Sequence, residues 1–129
     1  MTLSRSAEPR VRRLLIADDR LRTRRALRAV LSLQPCIELI GEAADGEEAV
    51  AEVERLRPDI VILDIRMPRV DGIAATRLIK TRWPTIRVIA HSLAEELSED
   101  ALAAGADAFV PKGAPAAELL KVLCVEEAA

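Results

Sequence analysis

The chain has 129 residues, room for one domain of ordinary size and not for two. Half of them are apolar, so a useful core can be buried, but Trp83 and Phe109 are the only aromatics and aliphatic side chains must fill it. Net charge is −2 and uneven: residues 1–30 hold nine Arg against three acids, and residues 93–129 hold eight acids against two Lys. No apolar run is long enough to span a bilayer, and the first dozen residues contain no apolar signal segment, so the expectation is a cytoplasmic protein with no membrane partner. Arg20, Arg22, Arg24, Arg25 and Arg28 read as a solvated helix face, with steering of an acidic partner as the functional alternative. Nothing resembling a recognition helix accompanies them, which argues against direct nucleic-acid binding. Cys36 and Cys124 lack a metal-type spacing and read as reduced thiols, a disulfide between them being the other possibility.

Residues 1–10 are polar, contain Pro9, and read as a flexible tail before a domain over 11–126. Val11–Ala17 is an apolar run ending in two acids. An Arg-rich amphipathic helix with Leu27, Val30 and Leu31 follows and stops near Pro35. Ile37–Ala43 predicts a second strand, and Gly46–Arg57 a helix with Ala49, Val50 and Val53 on one face. Asp59–Leu63 is a short strand, apolar as one covered on both faces must be. Gly72–Arg82 reads as helix, Ile86–Ala90 as strand, Glu95–Ala104 as a short helix and Ala108–Val110 as the fifth strand. Pro115 suits the first turn of a last helix reaching about Val125. Five β–α repeats imply an α/β fold, a doubly wound parallel sheet with helices on both faces. In such folds the chemistry sits beyond the carboxyl ends of the strands.

Polar residues cluster at those ends. Asp18 and Asp19 follow strand one, Asp64 follows strand three, Ser92 strand four, and Lys112 strand five. Three converging carboxylates repel one another unless a cation or a shifted proton intervenes. Mg²⁺ suits such an oxygen-only site, whereas Zn²⁺ does not, because His91 is the sole histidine and neither Cys falls at a strand end. Each residue has a plainer reading: Asp19 as a helix N-cap, Asp64 as a turn residue before Pro68, Ser92 as a cap, Lys112 as a surface lysine. The conjunction of all five at one edge favours a shared site.

The segments LLIADD (14–19), DIVILDIRMPRVDGI (59–73), RVIAHS (87–92) and GADAFVPKG (105–113) resemble the signature blocks of response-regulator receiver domains, with a flavodoxin-like (βα)5 fold. The central block is the most specific, because Asp64, Met67-Pro68 and Asp71-Gly72 keep the order of that family's phosphoacceptor loop. Segment GEAADGEEAV (41–50) further resembles the subfamily that usually carries a C-terminal LuxR-type helix-turn-helix domain. The resemblance implies that Asp64 takes a phosphoryl group from a sensor histidine kinase, as a signalling phosphoacceptor and not a turnover enzyme. It implies Mg²⁺ on Asp19, Asp64 and the backbone carbonyl of Arg66, with Asp18 acting largely through water. Lys112 would offset phosphoryl charge, and Ser92 with Phe109 would form the switch that alters the surface of helix four, strand five and helix five, a static core ring being the equal alternative for Phe109. The output would be transcription through a DNA-binding domain outside this chain, with homodimerisation on phosphorylation a further implication.

Met67-Pro68 should fix the backbone beyond the acceptor, and Gly72 should let the chain turn tightly beside it. Leu93 stands where the family usually has a small residue, so slower phosphorylation by small donors or a longer-lived acyl phosphate is expected. His91 should point away from the site into the helical layer as a partly exposed packing residue, a proton donor or pH sensor being the alternative. Ser92 and Lys112 lie closer together than the family pattern, which predicts a shortened helix four or a shortened loop before it. Two other functions compete. A haloacid-dehalogenase-like phosphatase needs a second acid two residues after its nucleophile, where this chain has Arg66. A stand-alone or phosphorylation-independent receiver would act through protein contacts alone.

Overall fold

The computed structural model describes residues 10–67 and 69–124. The tail expected over residues 1–10 falls outside them except for Arg10, as do Pro68 and the end of the domain beyond Cys124. Five strands alternate with five helices: β1 Arg12–Ala17, α1 Leu21–Leu31, β2 Ile37–Ala43, α2 Gly46–Leu56, β3 Ile60–Leu63, α3 Gly72–Arg82, β4 Arg87–Ser92, α4 Ser98–Ala103, β5 Ala108–Pro111 and α5 Ala116–Leu123. A single 3₁₀ turn, Glu95–Leu97, precedes α4. The sheet is parallel throughout, in the order β2-β1-β3-β4-β5. The five repeats predict this doubly wound parallel sheet, and its order, reversing at β1, is the flavodoxin-like one that the resemblance implies.

Side-chain alternation along the strands builds two aliphatic layers. Leu14, Ile16, Ile60, Ile62 and Ile89 face α1 and α5, where they meet Leu27, Leu31, Leu119 and Leu123. Leu15, Ala17, Val61, Leu63, Val88 and Ala90 face the other way, onto Ala49, Val53, Ala75, Ile79 and Ala101 of α2, α3 and α4. β3 is buried at all four positions, which is why it reads as an unbroken apolar run.

β2 departs from simple alternation. Leu14 pairs with Leu39 but Leu15 with Gly41, so one extra residue bulges from the edge strand. A one-residue insertion exchanges the two faces. Leu39 therefore packs in the α1–α5 layer while Ala43 packs in the opposite one. Glu42 is thereby turned toward α1, where it pairs with Arg24 at 2.9 Å and with Arg28.

The helices start where acids can cap them. Asp45 accepts from the Glu48 N–H at 2.8 Å, and Asp71 accepts from the Ala74 N–H at 2.9 Å. Each cap is worth about 1 kcal/mol. α1 has no side-chain cap; Asp19, a candidate for that role, is left free of it. Pro115 occupies the N-cap of α5 and not its first turn.

The cysteines require a correction. Cys36 and Cys124 are joined as a disulfide, with Cα atoms 6.6 Å apart, and are not free thiols. Cys36 immediately precedes β2, and Cys124 follows the last turn of α5, which returns to pack beside it. That proximity depends on a tertiary contact across 88 residues.

Candidate functional site

The carboxyl ends of β1 and β3 meet where the sheet order reverses, and the backbone ties them together. The Asp64 N–H donates to Ala17 O at 2.9 Å, and the Asp18 N–H donates to Ala43 O at 3.0 Å. Asp18 and Asp64 are both buried, whereas Asp19 is exposed. Carboxylate oxygens of Asp18, Asp19 and Asp64 lie within 4.8 Å of one another.

Lys112 reaches this group from the end of β5. Its Nζ stands 2.8 Å from Asp18 Oδ2 and 2.9 Å from Asp64 Oδ2. Its backbone N–H donates to Ser92 O at 3.0 Å, which extends the β4–β5 pairing and aims the side chain inward. The Asp18 Oδ1 is engaged by the Arg20 N–H at 2.9 Å, and Asp64 Oδ1 by the Arg66 N–H at 3.2 Å.

Burial raises the pKa of Asp18 above its ordinary value of 3.8; the Lys112 ammonium and the Arg20 amide offset only part of that. Burial by itself would lower Lys112, but its hydrogen bonds to Asp18 and Asp64 prevail and hold it above 10.5. Three carboxylates against one ammonium leave an excess of negative charge at this edge of the sheet. A hard divalent cation would relieve it, and an all-oxygen donor set fits Mg²⁺.

Ser92 is buried, and its Oγ accepts the Ala94 N–H at 3.1 Å, so it shapes the bend after β4. It also lines a crevice of about 210 Å³ with Asp19, Asp64, Arg66, Leu93 and Lys112. All five residues expected at the strand ends are thus gathered at one edge. Leu93 is 62% exposed at the crevice rim. Across the mouth, the Arg66 guanidinium pairs with Glu96 at 2.5 Å. Phe109 is half-buried on β5, against the core layer beneath α4, and lines a surface hollow with Glu95, Ser98 and Leu102. α4 has only six residues, in line with the short spacing from Ser92 to Lys112.

Arg24 departs from the solvated face expected of the α1 arginines, its side chain being only 16% exposed. Nη1 donates to the Asp18 carbonyl at 2.7 Å while Nε holds Glu42, so Arg24 fixes the turn that presents Asp18 and Asp19. The signal lay in the pairing of Glu42 with this position, which a bulge had to create.

His91 does point into the α1–α5 layer, lining a hollow with Leu27, Val30, Val110 and Leu119. It is 8% exposed, more deeply buried than expected. Burial, with the nearby Lys112 ammonium, pushes its pKa down to about 4. An unfolded imidazole protonates near 6.5, so between pH 6.5 and 4 the unfolded chain binds a proton that the folded one refuses. Stability should therefore fall over that window as pH drops, by on the order of 3 kcal/mol from this group. Urea unfolding of the wild type and His91→Leu at pH 7.5 and 4.5 checks this: the variant should lose less on acidification.

Residues 14–124 match the model of the response regulator receiver domain family. Among curated proteins, a protein-glutamate methylesterase/protein-glutamine glutaminase of Alkalilimnicola ehrlichii is 44% identical over 103 residues, 78% of this chain and 26% of the relative. A counterpart from Anaeromyxobacter dehalogenans is 46% identical over 78% of this chain and 30% of its own length. The chain thus spans less than a third of these curated relatives. Among solved structures, the response regulator domain of Thermotoga maritima CheB is 38% identical with a TM-score of 0.82, covering 88% of this chain and 94% of that one. A two-component response regulator of the LuxR family from Aurantimonas sp. is 30% identical with a TM-score of 0.83, covering 88% and 82%. The CheX-CheY-BeF3-Mg+2 complex from Borrelia burgdorferi contributes a chain 33% identical with a TM-score of 0.81, covering 95% of each. With most of its length inside the family model, and the fold of solved members reproduced, the chain belongs to the response regulator receiver domain family.

Proposed function

We propose that Asp64 is the phosphoacceptor of this receiver, taking a phosphoryl group from a sensor histidine kinase. The observation that carries this reading is Lys112 Nζ bridging Asp18 and Asp64 within a cluster of three carboxylates. A carboxylate oxygen of Asp64 attacks phosphorus, the P–N bond of the donor's phosphohistidine breaks, and the imidazole leaves with the electron pair and takes up a proton. A carboxylate nucleophile has no hydroxyl proton to give up, so the attack needs no general base. Asp19, Asp64 and the Arg66 carbonyl would hold Mg²⁺, with Asp18 acting through water; bound there, the ion neutralises charge on the transferred group. Lys112 offsets charge on a phosphoryl oxygen, and Ser92 exchanges its contact with Ala94 for a hydrogen bond to another. That exchange is the switch. It moves the bend after β4, and Phe109 turns inward under α4.

Support for the metal comes from the donor set here and from the Mg+2 named with the Borrelia burgdorferi complex. The output is a second question. Segment 41–50 suggests transcriptional control through a DNA-binding domain. The higher identity to receiver portions of protein-glutamate methylesterases favours coupling to an attached catalytic domain instead. A receiver that docks partners without phosphorylation is disfavoured by the completeness of the cluster.

Incubation with Mg²⁺ and acetyl phosphate, or with a phosphorylated kinase, should add one phosphoryl group by intact mass. Asp64→Asn should add none. A folded wild-type preparation that never gains the group from either donor would remove the proposal. Leu93→Ala should speed labelling by acetyl phosphate by about two- to tenfold, since a side chain at the rim narrows the approach. Unchanged rates of labelling and of acyl-phosphate decay would clear Leu93 of any such role.

A further inference from the structure

Oxidation chemistry has a place at the opposite end of the sheet from the carboxylates. Cys36 lies just before β2, beside the start of β1, where its carbonyl accepts the Arg12 N–H at 2.9 Å. Cys124 caps α5, its N–H donating to Leu120 O at 2.9 Å. Their Cα separation of 6.6 Å falls within the span a disulfide bridges. Both are only partly buried, so a small reagent can reach them.

The helix they anchor is short. α5 has eight residues, too few to persist without tertiary contacts. Its last turn is held by Leu123 in the core, by Arg87 Nη1 donating to Val122 O at 2.8 Å, and by the cysteine pair. Leu120 and Val122 also pack against the core there, and the cysteine pair is the covalent attachment of that turn to the sheet.

We propose that Cys36 and Cys124 form a reversible dithiol–disulfide couple, oxidised by a low-molecular-weight disulfide of the glutathione class, which clasps the end of α5 to the start of β2. A thiolate of the pair attacks a sulfur of oxidised glutathione and releases one glutathione thiolate, leaving a mixed disulfide. The second cysteine attacks the protein sulfur of that bond, forms the Cys36–Cys124 disulfide and expels the other glutathione. Two electrons and two protons pass to glutathione, which leaves as two reduced molecules. The clasp lies away from Asp64, so it alters the mobility of α5 and leaves phosphoryl acceptance alone.

The experiment uses the full chain, reduced, then equilibrated with oxidised glutathione and quenched with N-ethylmaleimide. Intact mass should show a monomer with no maleimide and no glutathione, and two maleimides after prior reduction. Amide exchange of Leu123 and Cys124 should be about tenfold slower in the oxidised form, and labelling of Asp64 by acetyl phosphate should be unchanged. Cys36→Ser should abolish the exchange difference. Two maleimide-reactive thiols after oxidation, a persistent glutathione adduct or a disulfide-linked dimer would each overturn the couple. Equal exchange rates in the two redox forms would overturn the clasp.

Discussion

Replacing Gly72 by alanine should destabilise the domain by about 3 kcal/mol and slow phosphorylation of Asp64 about a hundredfold. An alanine Cβ would stand 2.1 Å from the Asp64 carbonyl oxygen and 2.4 Å from Ile65 Cα. Both are backbone atoms, so no side-chain rotation relieves the clash. The first turn of α3 is also tied down, because the Gly72 N–H donates to Ile65 O at 2.8 Å. Either α3 withdraws and breaks that bond, or the loop after β3 gives way and carries Asp64 with it. The second route converts a packing defect into a catalytic one, since a shift near 1 Å at a reacting atom costs on the order of a hundredfold in rate. Gly113 is the control: an added Cβ there meets nothing within 4 Å, so Gly113→Ala should leave stability within about 0.5 kcal/mol. Urea midpoints and acetyl-phosphate labelling rates read both effects. Gly72→Ala behaving like Gly113→Ala would show that close approach of α3 does not set the position of Asp64.

That contact explains what was legible beforehand. Gly72 announces itself through an Asp-Gly step before an amphipathic helix, and the helix indeed begins there. β2 and α3 have the bounds their patterns predict, because the turn residues at both ends are neighbours in sequence. β4 starts one residue later and ends two residues later than Ile86–Ala90, since Lys112 continues the pairing as far as Ser92. The carboxylates, Ser92 and Lys112 could be grouped because a parallel sheet places every strand end at one edge. What stayed hidden was non-local: Arg24 reaches Glu42 only after the β2 bulge, and Cys36 meets Cys124 only after α5 has returned. His91 was assigned to the correct face by alternation, but alternation is silent on how completely α1 and α5 cover it.

Lys112→Met should cost about 3 kcal/mol of stability at neutral pH, because removing one partner leaves buried charges unpaired. The side chains of Asp18 and Asp64 are 2% and 5% exposed, so their charges are poorly solvated without the ammonium. Burial already raises the Asp18 pKa above 3.8, and Lys112 is the main influence opposing it. Without Lys112 the folded Asp18 should protonate at still higher pH, while the unfolded chain continues to titrate near its ordinary value. As pH falls through that raised value, the folded variant gains a proton that the unfolded chain has not, and its stability climbs toward the wild type. The lysine works in the other sense: its own raised pKa means that the wild type keeps the ion-pair stabilisation below 10.5 and loses it as pH rises beyond. Millimolar Mg²⁺ should narrow the same gap at neutral pH, since a cation on the carboxylates replaces part of the lost charge. Under the role proposed for Lys112, phosphorylation should remain about a hundredfold slower even then, because the metal would not supply the donor that the ammonium would offer to the phosphoryl oxygens. Thermal unfolding of both proteins at pH 5 and 7.5, with and without Mg²⁺, separates these effects. A gap between variant and wild type that ignores both acid and magnesium would mean that the three acids do not repel one another, and the reason for placing a cation among them would be gone.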